Sequence, residues 1–232
     1  MKKNPIGLLL FLPAFSLAEI SATVTPVSEY RSYGRSQTNK NPALQGTLNF
    51  VHKSGFYYKN WWSTMSLASG SEQKFELDTY FGFAHSFNSE VSIDIGVAPY
   101  LFFGSSAADD INYKDFYATA VFKNTALTTY YAPKYVGVDG SHAYRIELNH
   151  SIVMEDYKLG LHAAHTHRTG APRISYDDSS QYGYNYVGVS AAKDWNGYTW
   201  LALATATDIT KGSGHDNAKP ALVLKVTKAW SF

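Results

Sequence analysis

Beyond residue 18 the chain is a succession of period-two segments, near 20–31, 43–53, 56–67, 74–87, 90–104, 113–123, 125–137, 143–154, 157–170, 184–195, 198–211 and 220–232. Their connectors alternate strictly between short and long. Lys53-Ser54-Gly55, Asn88-Ser89, Asn124, Glu155-Asp156 and Asn196-Gly197 are tight turns of small polar residues and glycine. The stretches 32–42, 68–73, 105–112, 138–142, 171–183 and 212–219 are longer and polar. An even number of strands with short connections at one end and long ones at the other is the pattern of an up-and-down barrel with periplasmic turns and extracellular loops. A soluble sandwich has no reason to sort its connections this way. The fold class expected is therefore all-β, an up-and-down antiparallel transmembrane β-barrel of about twelve strands, after a cleaved signal peptide.

The N-terminus supports export. Lys2 and Lys3 precede an apolar run from Ile6 to Phe15, and Ser16-Leu17-Ala18 offers small residues where a signal peptidase reads, so cleavage after Ala18 is expected. That divides the chain into a signal peptide, 1–18, and a barrel domain, 19–232. The chain has no cysteine, which excludes a disulfide scaffold. Its formal charge of +1 and scattered basic residues argue against nucleic acid as a partner. Aromatic residues make up 16%, with 18 tyrosines, more than a soluble core needs and suited to the aromatic girdles of an outer-membrane barrel.

Transfer energy orients the strands. On the last one, the even set (Leu222, Leu224, Val226, Lys228, Trp230, Phe232) or the odd set (Ala221, Val223, Lys225, Thr227, Ala229, Ser231) faces lipid. A Lys at the bilayer midplane costs roughly 2 to 4 kcal/mol and almost nothing at the interface. The even set faces out, with Lys228 snorkelling at the rim between Trp230 and Phe232. Phe232 then closes the barrel against the first and penultimate strands, since an apolar edge strand left open would template aggregation. Trp230 and Phe232 are expected to form the signal read by the outer-membrane assembly machinery. The same reasoning puts Glu76, Asp78 and Tyr80 inside, with Phe75, Leu77, Phe81 and Phe83 outside. Segments 56–67, 125–137 and 198–211 carry apolar or hydroxyl residues on both faces and stay unassigned.

The charged residues expected to line the lumen are Glu76, Asp78, Asp115, Arg145, Glu147 and Arg168 in the extracellular half, with Asp94, Lys158 and Lys225 lower. They either pair across strands to fill a polar interior or form a constriction that sorts solutes by charge. His165 and His167 share a face at strand spacing without a third ligand beside them, which reads as interfacial histidine rather than a metal site. Asn149-His150-Ser151 has the residue types of a lipid hydrolase, yet adjacent strand residues point to opposite faces and no Gly-x-Ser-x-Gly occurs. In the long loop 171–183, Asp177 and Asp178 could bind calcium, fold inward or stay solvated. Arg35 and Arg173 are candidates for lipopolysaccharide phosphates.

Residues 28–63 also resemble a known family. "SEYRSYGRSQ", "NPALQG" and "SGFYYKNWWS" are similar to the opening motif of the TorF-like family, exported proteins of largely unknown function described as porins, with matches at Ser28, Tyr30, Gly34, Ser36, Gln37, Pro42 to Gly46, Ser54 to Tyr57, Trp61 and Ser63. "ELDTYFG" and "IDIGVAPY" fit its following strands. The family's Arg-Gly reads Tyr33-Gly34 here, with Arg31 and Arg35 on either side. The resemblance implies an outer-membrane barrel of porin type and supplies neither a substrate nor catalytic residues. The expected function is a narrow channel for small hydrophilic solutes, weakly preferring cations because four acids face two arginines at its outer mouth. A structural or adhesive barrel without transport and, further off, a lipid hydrolase are the alternatives. No enzyme activity, metal or cofactor is expected; the expected partners are outer-membrane lipids and lipopolysaccharide, the assembly machinery and the solutes.

Overall fold

The computed structural model describes residues 19–66, 74–104, 111–170, 183–209 and 216–232. The expected signal peptide with its cleavage after Ala18, and Arg173, Asp177 and Asp178 of the long loop, lie outside the described residues. Twelve antiparallel strands close on one another: β1 (Glu19–Val27), β4 (Ala43–Val51), β5 (Phe56–Thr64), β6 (Phe75–Ser86), β7 (Val91–Phe103), β8 (Tyr113–Phe122), β9 (Thr125–Ala132), β10 (Ser141–Val153), β11 (Lys158–Gly170), β12 (Gly183–Trp195), β13 (Tyr198–Thr207) and β14 (Ala221–Ser231). A two-stranded hairpin, β2 (Arg31–Ser32) with β3 (Arg35–Ser36), belongs to the connection between β1 and β4. Among the described residues no helix is long and apolar enough to cross a membrane, so any crossing is made by strands.

The short connections have the chemistry their geometry needs. Asn196 and Gly197 both adopt positive φ, 52° and 78°, the two-residue turn whose twist matches that of its strands. The Asn88 side chain accepts hydrogen bonds from the backbone N–H of Glu90 and Val91, each 2.8 Å, and so closes its turn locally. The barrel closes where β1 pairs with β14, Ser21 opposite Ser231 and Val24 opposite Lys228, and the Phe232 N–H donates to Ile20 O at 2.9 Å.

The outer face is a continuous apolar belt. Leu44, Leu48, Ile95, Ile146, Leu148, Leu161, Val187, Val189, Leu222 and Leu224 are all exposed on it. A closed belt of that extent exceeds the apolar patches soluble monomers carry and is a lipid-facing surface. Aromatic rings collect at both rims. Trp62, Phe75 and Phe103 run side by side at the loop end; Phe56 with Phe83, and Trp195 with Trp200, do so at the turn end. As the transfer argument requires, Leu222, Leu224, Trp230 and Phe232 face out while Lys225 faces in. Lys228 reaches a different anchor from the expected one: its Nζ donates to Gly197 O at 3.1 Å and lies over the Tyr198 ring.

Polar groups on the outer face satisfy one another. Asn60, outward on β5, donates to Tyr58 Oη at 2.7 Å and accepts from Thr79 at 2.8 Å, which removes most of the cost of facing hydrocarbon. This internal pairing is why β5 showed no clean alternation. Its inner face is Tyr57, Lys59, Trp61 and Ser63; β9 turns in Ala126, Thr128, Tyr130 and Ala132, and β13 turns in Leu201, Leu203 and Thr205.

The loop-end boundaries differ from the sequence reading. The first segment leaves the wall at Ser28 rather than Arg31, where Ser28 and Leu224 exchange hydrogen bonds of 2.9 Å. The segment expected to reach 137 stops at Ala132. Pro133 lacks an N–H for the ladder, and a 3-10 turn at Tyr135–Gly137 follows, carrying the buried Val136. Strands β5 and β13 stop at Thr64 and Thr207, short of the expected 67 and 211. In each case apolar or aromatic residues past the strand end mimic strand composition.

Candidate functional site

The lumen has two unlike walls. From β5 to β9 it is aromatic and acidic. Tyr57, Tyr100, Phe102 and Tyr117 are buried there with Tyr80, Tyr113, Tyr130 and Tyr135 packed against them. Glu76, Asp78, Asp94 and Asp115 sit among these rings at 6%, 5%, 6% and 2% exposure, so they are packed groups rather than a solvated mouth. Tyr57 donates to Asp94 at 2.9 Å and also contacts the Tyr117 hydroxyl. From β10 round to β14 and β1 the lining is mixed: Asn149, Ser151, Gly160, His162, Ala164, Ser190, Thr205 and Thr25 turn inward beside Tyr184, Tyr186, Leu201, Leu203 and Val223, and Ser151, Ser190 and Thr205 are buried as the acids are.

Against both walls rests the segment 28–42. Tyr33 and Gly34 take positive φ, 47° and 78°, to form the tip of the β2–β3 hairpin. A Cβ on Gly34 would lie 2.2 Å from Thr207 Cγ2 and 2.9 Å from the Tyr186 ring, so the tip is pressed against the inner face of β12 and β13. The base is tied down as well. Tyr30 donates to Glu76 at 2.8 Å and packs on Trp61, while Arg31 pairs with Glu29 at 3.0 Å and donates to Gly34 O and Lys219 O, both 2.7 Å. The Ser36 hydroxyl accepts the Lys40 N–H at 2.8 Å.

Arg145 joins hairpin and wall. Its guanidinium lies 4.0 Å from the Tyr33 ring centre on one side and 3.9 Å from that of Tyr130 on the other. In its plane it meets Glu147 at 2.9 Å and Asp115 at 3.2 Å. The flat, weakly hydrated guanidinium can stack on two rings and bond two carboxylates at once, which an ammonium cannot do.

All nine charged residues singled out from the sequence point into the barrel: Glu76, Asp78, Asp94, Asp115, Arg145, Glu147, Lys158, Arg168 and Lys225. The structure gathers Arg145, Asp115 and Glu147 into one cluster and places Arg168 by the Tyr135 ring. Sequence reasoning missed Lys59, whose charge acts on both Asp78 and Asp94 and whose Nζ lies 5.1 Å from the Tyr80 ring centre. The candidate set held five acids against four bases. Lys59 makes five against five, and Glu29 with Arg31 adds one of each. The only signal that could have found Lys59 is register with β6, since β5 does not orient itself.

The histidines separate. His165 and His167 stack on the outer face at the loop end, 6.5 Å between ring centres, and His165 is bonded to Asn185 at 2.9 Å. Among the described residues no three potential ligands gather round a metal position. The Asn149-His150-Ser151 run is split as strand geometry demands: His150 faces out, bonded to Thr125 at 2.9 Å, while its neighbours face in. A chain not anticipated links the inner wall instead. His162 Nδ1 meets Asn149 Oδ1 at 2.7 Å and its Nε2 meets Ser190 Oγ at 3.2 Å. The order of groups is that of a hydrolase triad, but Ser190 is paired on both sides, with Gly160 and Leu203, and the ladder takes up the N–H groups an oxyanion would need.

Residues 13–230 match the model of a family described as a bacterial protein of unknown function, Gcw_chp. The chain belongs to this family. No curated protein matches it by sequence. Three solved barrels are similar in fold. The KdgM porin is 12% identical at a TM-score of 0.52, covering 92% of this chain and 99% of its own. The NanC porin is 11% identical at 0.56, covering 90% and 98%. The COG4313 outer membrane channel from Pseudomonas putida F1 is 11% identical at 0.50, covering 94% and 97%. The KdgM porin is also known in complex with disordered oligogalacturonate. At these identities the likeness concerns the fold.

Proposed function

We propose that the protein is an outer-membrane channel of narrow bore, through which small hydrophilic solutes diffuse along the polar wall formed by β10–β14 and β1, past a constriction made by the segment 28–42. The observation that carries this reading is the unlike lining of the lumen: one wall is packed with tyrosines and acids, while the other sets small hydroxyl and amide side chains among its aliphatic and tyrosine residues. The fold shared with KdgM and NanC porins and the resemblance of residues 28–63 to TorF-like porins support it. The reading includes export with cleavage after Ala18, recognition of Trp230 and Phe232 by the assembly machinery, and contact of the loop rim with lipopolysaccharide.

Single-channel recording on the refolded chain in a planar bilayer tests it. Small, steady conductance steps are expected; folded protein that leaves the bilayer silent turns the reading to a structural or adhesive barrel. Orientation is tested separately. Single cysteines at Asn41 and Asp139, both exposed at the loop end, should react with an impermeant maleimide on intact cells, and those at Ser89 and Asp156 at the turn end should not. Labelling at Ser89 on sealed cells overturns the orientation.

Bulk ion selectivity should be weak. Arg145 offsets Asp115 and Glu147 at contact, and Lys59 offsets part of the Asp78 and Asp94 charge. The residual acidity at the loop end gives a slight cation preference at low salt, fading as the Debye length falls from about 10 Å at 0.1 M to about 3 Å at 1 M. Replacing Glu76 by Gln and Asp78 by Asn together should move the reversal potential in a salt gradient towards anions. No movement would mean that these buried acids lie outside the conduction path.

A further inference from the structure

The loop-end rim of the outer wall is not the same all the way round. Where β14, β4, β5, β6 and β7 reach it, Leu222, Leu44, Trp62, Phe75 and Phe103 turn outward. Over β8–β11 the rim carries Lys114, His142, His165 and His167 instead. Among the described strand residues no other lysine or histidine faces outward at this end, and no acid does so on these four strands.

Register sorts this arc by polarity. Phe116, Tyr131, Tyr144 and His167 are successive partners across β8, β9, β10 and β11. One step towards the loops on the same face come Lys114 and His142. One step towards the membrane centre Ile146 pairs with His165, and one step further Leu148 pairs with Leu127. Basic groups, then aromatic rings, then exposed aliphatic side chains follow the order in which a phosphorylated lipid presents its headgroup and its chains.

The polar groups of the arc are oriented. The Asp208 carboxylate only accepts, so the Asn185 amide nitrogen faces it at 2.6 Å, and the Asn185 oxygen accepts from His165 Nδ1 at 2.9 Å. His165 Nε2 is thereby kept for another partner. His142 is bonded to Tyr131 Oη at 3.1 Å and stacks on that ring, which stacks in turn on Tyr144 with centres 5.0 Å apart. Among the described residues His167 makes no hydrogen bond, and Lys114 meets no carboxylate and rests over the Phe116 ring at 5.6 Å. In the connection between β9 and β10, Asp139 is taken up by Lys134 at 2.9 Å. The arc therefore offers an ammonium and imidazole nitrogens without an anion of its own, directly above apolar wall.

We infer that this arc is a docking surface for the phosphorylated glycolipid of the outer leaflet, with Lys114, His142 and His167 on a lipid A phosphate and the acyl chains along Ile146, Leu148 and Leu127. The inference rests on the proposed orientation, with the loop end outside, and gives the lipopolysaccharide contact a place on the wall and a chemical group. A second copy of the chain is the poorer occupant, because a two-fold contact here would set one basic arc against the other.

Native mass spectrometry of the folded full barrel in detergent tests it, with lipid A, dephosphorylated lipid A, phosphatidylglycerol and inorganic phosphate as probes. Lipid A should bind saturably, and the dephosphorylated form and phosphatidylglycerol more weakly. Combining Lys114→Gln, His142→Gln and His167→Gln should weaken lipid A about 10-fold or more, the loss of charge-assisted contacts to phosphate. His85→Gln with Lys123→Gln, at the turn end, should leave it unchanged. Retained heat-modifiable mobility identifies the variants that fold, and Lys114→Glu, on an exposed side chain, should weaken lipid A by itself if the triple variant does not fold. Equal binding of lipid A by the folded triple variant or by folded Lys114→Glu overturns the surface, as does equal binding of dephosphorylated lipid A. Phosphatidylglycerol binding as tightly as lipid A, or lipid A displaced by millimolar inorganic phosphate, overturns the glycolipid assignment. A dimer that the triple variant abolishes would hand the arc to a second copy. Labelling of Ser89 on sealed cells would overturn the placement whatever the titration shows. Lipid A held through Lys114 by a barrel that conducts nothing leaves this surface and sinks the channel reading; conduction without lipid A binding does the reverse.

Discussion

Replacing Arg145 by Met should destabilise the folded barrel by about 3 to 5 kcal/mol, the cost of removing one partner from a buried charge cluster. The loss has a clear origin. Asp115 is 2% exposed and Glu147 lies beside it, so without the guanidinium two carboxylates are left facing each other in a packed wall. Tyr33 loses its stacking partner in the same step, a contact worth roughly 0.5 to 2 kcal/mol, and the hairpin tip is released from β10. Unfolding in urea on micelles reads the first effect, and a rise in single-channel conductance reads the second. Changing Asp115 to Asn and Glu147 to Gln on top of Arg145→Met should recover much of the stability, because the unpaired charge disappears, without restoring the hairpin. If the single variant unfolds at the wild-type urea concentration, the Arg145 cluster is not what ties hairpin to wall.

The second large effect is expected at Gly34. Its φ of 78° disfavours any side chain, and the Cβ of Gly34→Val would sit 2.2 Å from Thr207 Cγ2 on the barrel wall. The wall strands do not depend on this residue, so the strain is relieved most cheaply by moving the hairpin out of the lumen. Conductance should rise severalfold, with barrel yield and heat-modifiable mobility close to wild type. Adding Thr207→Ala makes room for part of the side chain while leaving the backbone strain, and should bring conductance part of the way back. Unchanged conductance in folded Gly34→Val would show that the segment 28–42 does not lie across the conduction path. Arg145 and Gly34 test one constriction from opposite ends, by charge and by volume.

Much of the wall could be read from residues alone. Strands such as β6, β7, β10 and β14 alternate acids, amides and lysine with Leu, Ile, Val and Phe, and in a closed sheet with period two each residue's face then follows from its own transfer energy. The turns at Asn88 and Asn196 were legible for a similar reason, since side-chain bonding and positive φ are local requirements. Strand β5 was not legible. Asn60 and Thr79 pair on the outer face, and Lys59 and Tyr57 turn towards Asp94 on the inner one, so only the register with β6 decides which way they point.

The lumen shows the same division. That Glu76, Asp78, Asp94, Asp115, Arg145, Glu147, Lys158, Arg168 and Lys225 turn inward is a property of each strand's own alternation, and the sequence by itself determined it. What each meets there was decided by the tertiary structure. Tyr33 and Arg145 stack although they lie far apart in the chain, because the hairpin is held across the barrel by contacts of Gly34 and Tyr30 with separate parts of the wall and of Arg31 with the connection before β14. His162 finds Asn149 and Ser190 only through the registers of β10, β11 and β12. A side chain's preference for lipid or lumen is a one-body energy that the sequence carries residue by residue. Filling a lumen is a many-body packing problem, and its answer, which charges meet a partner at contact, exists only once the barrel has closed.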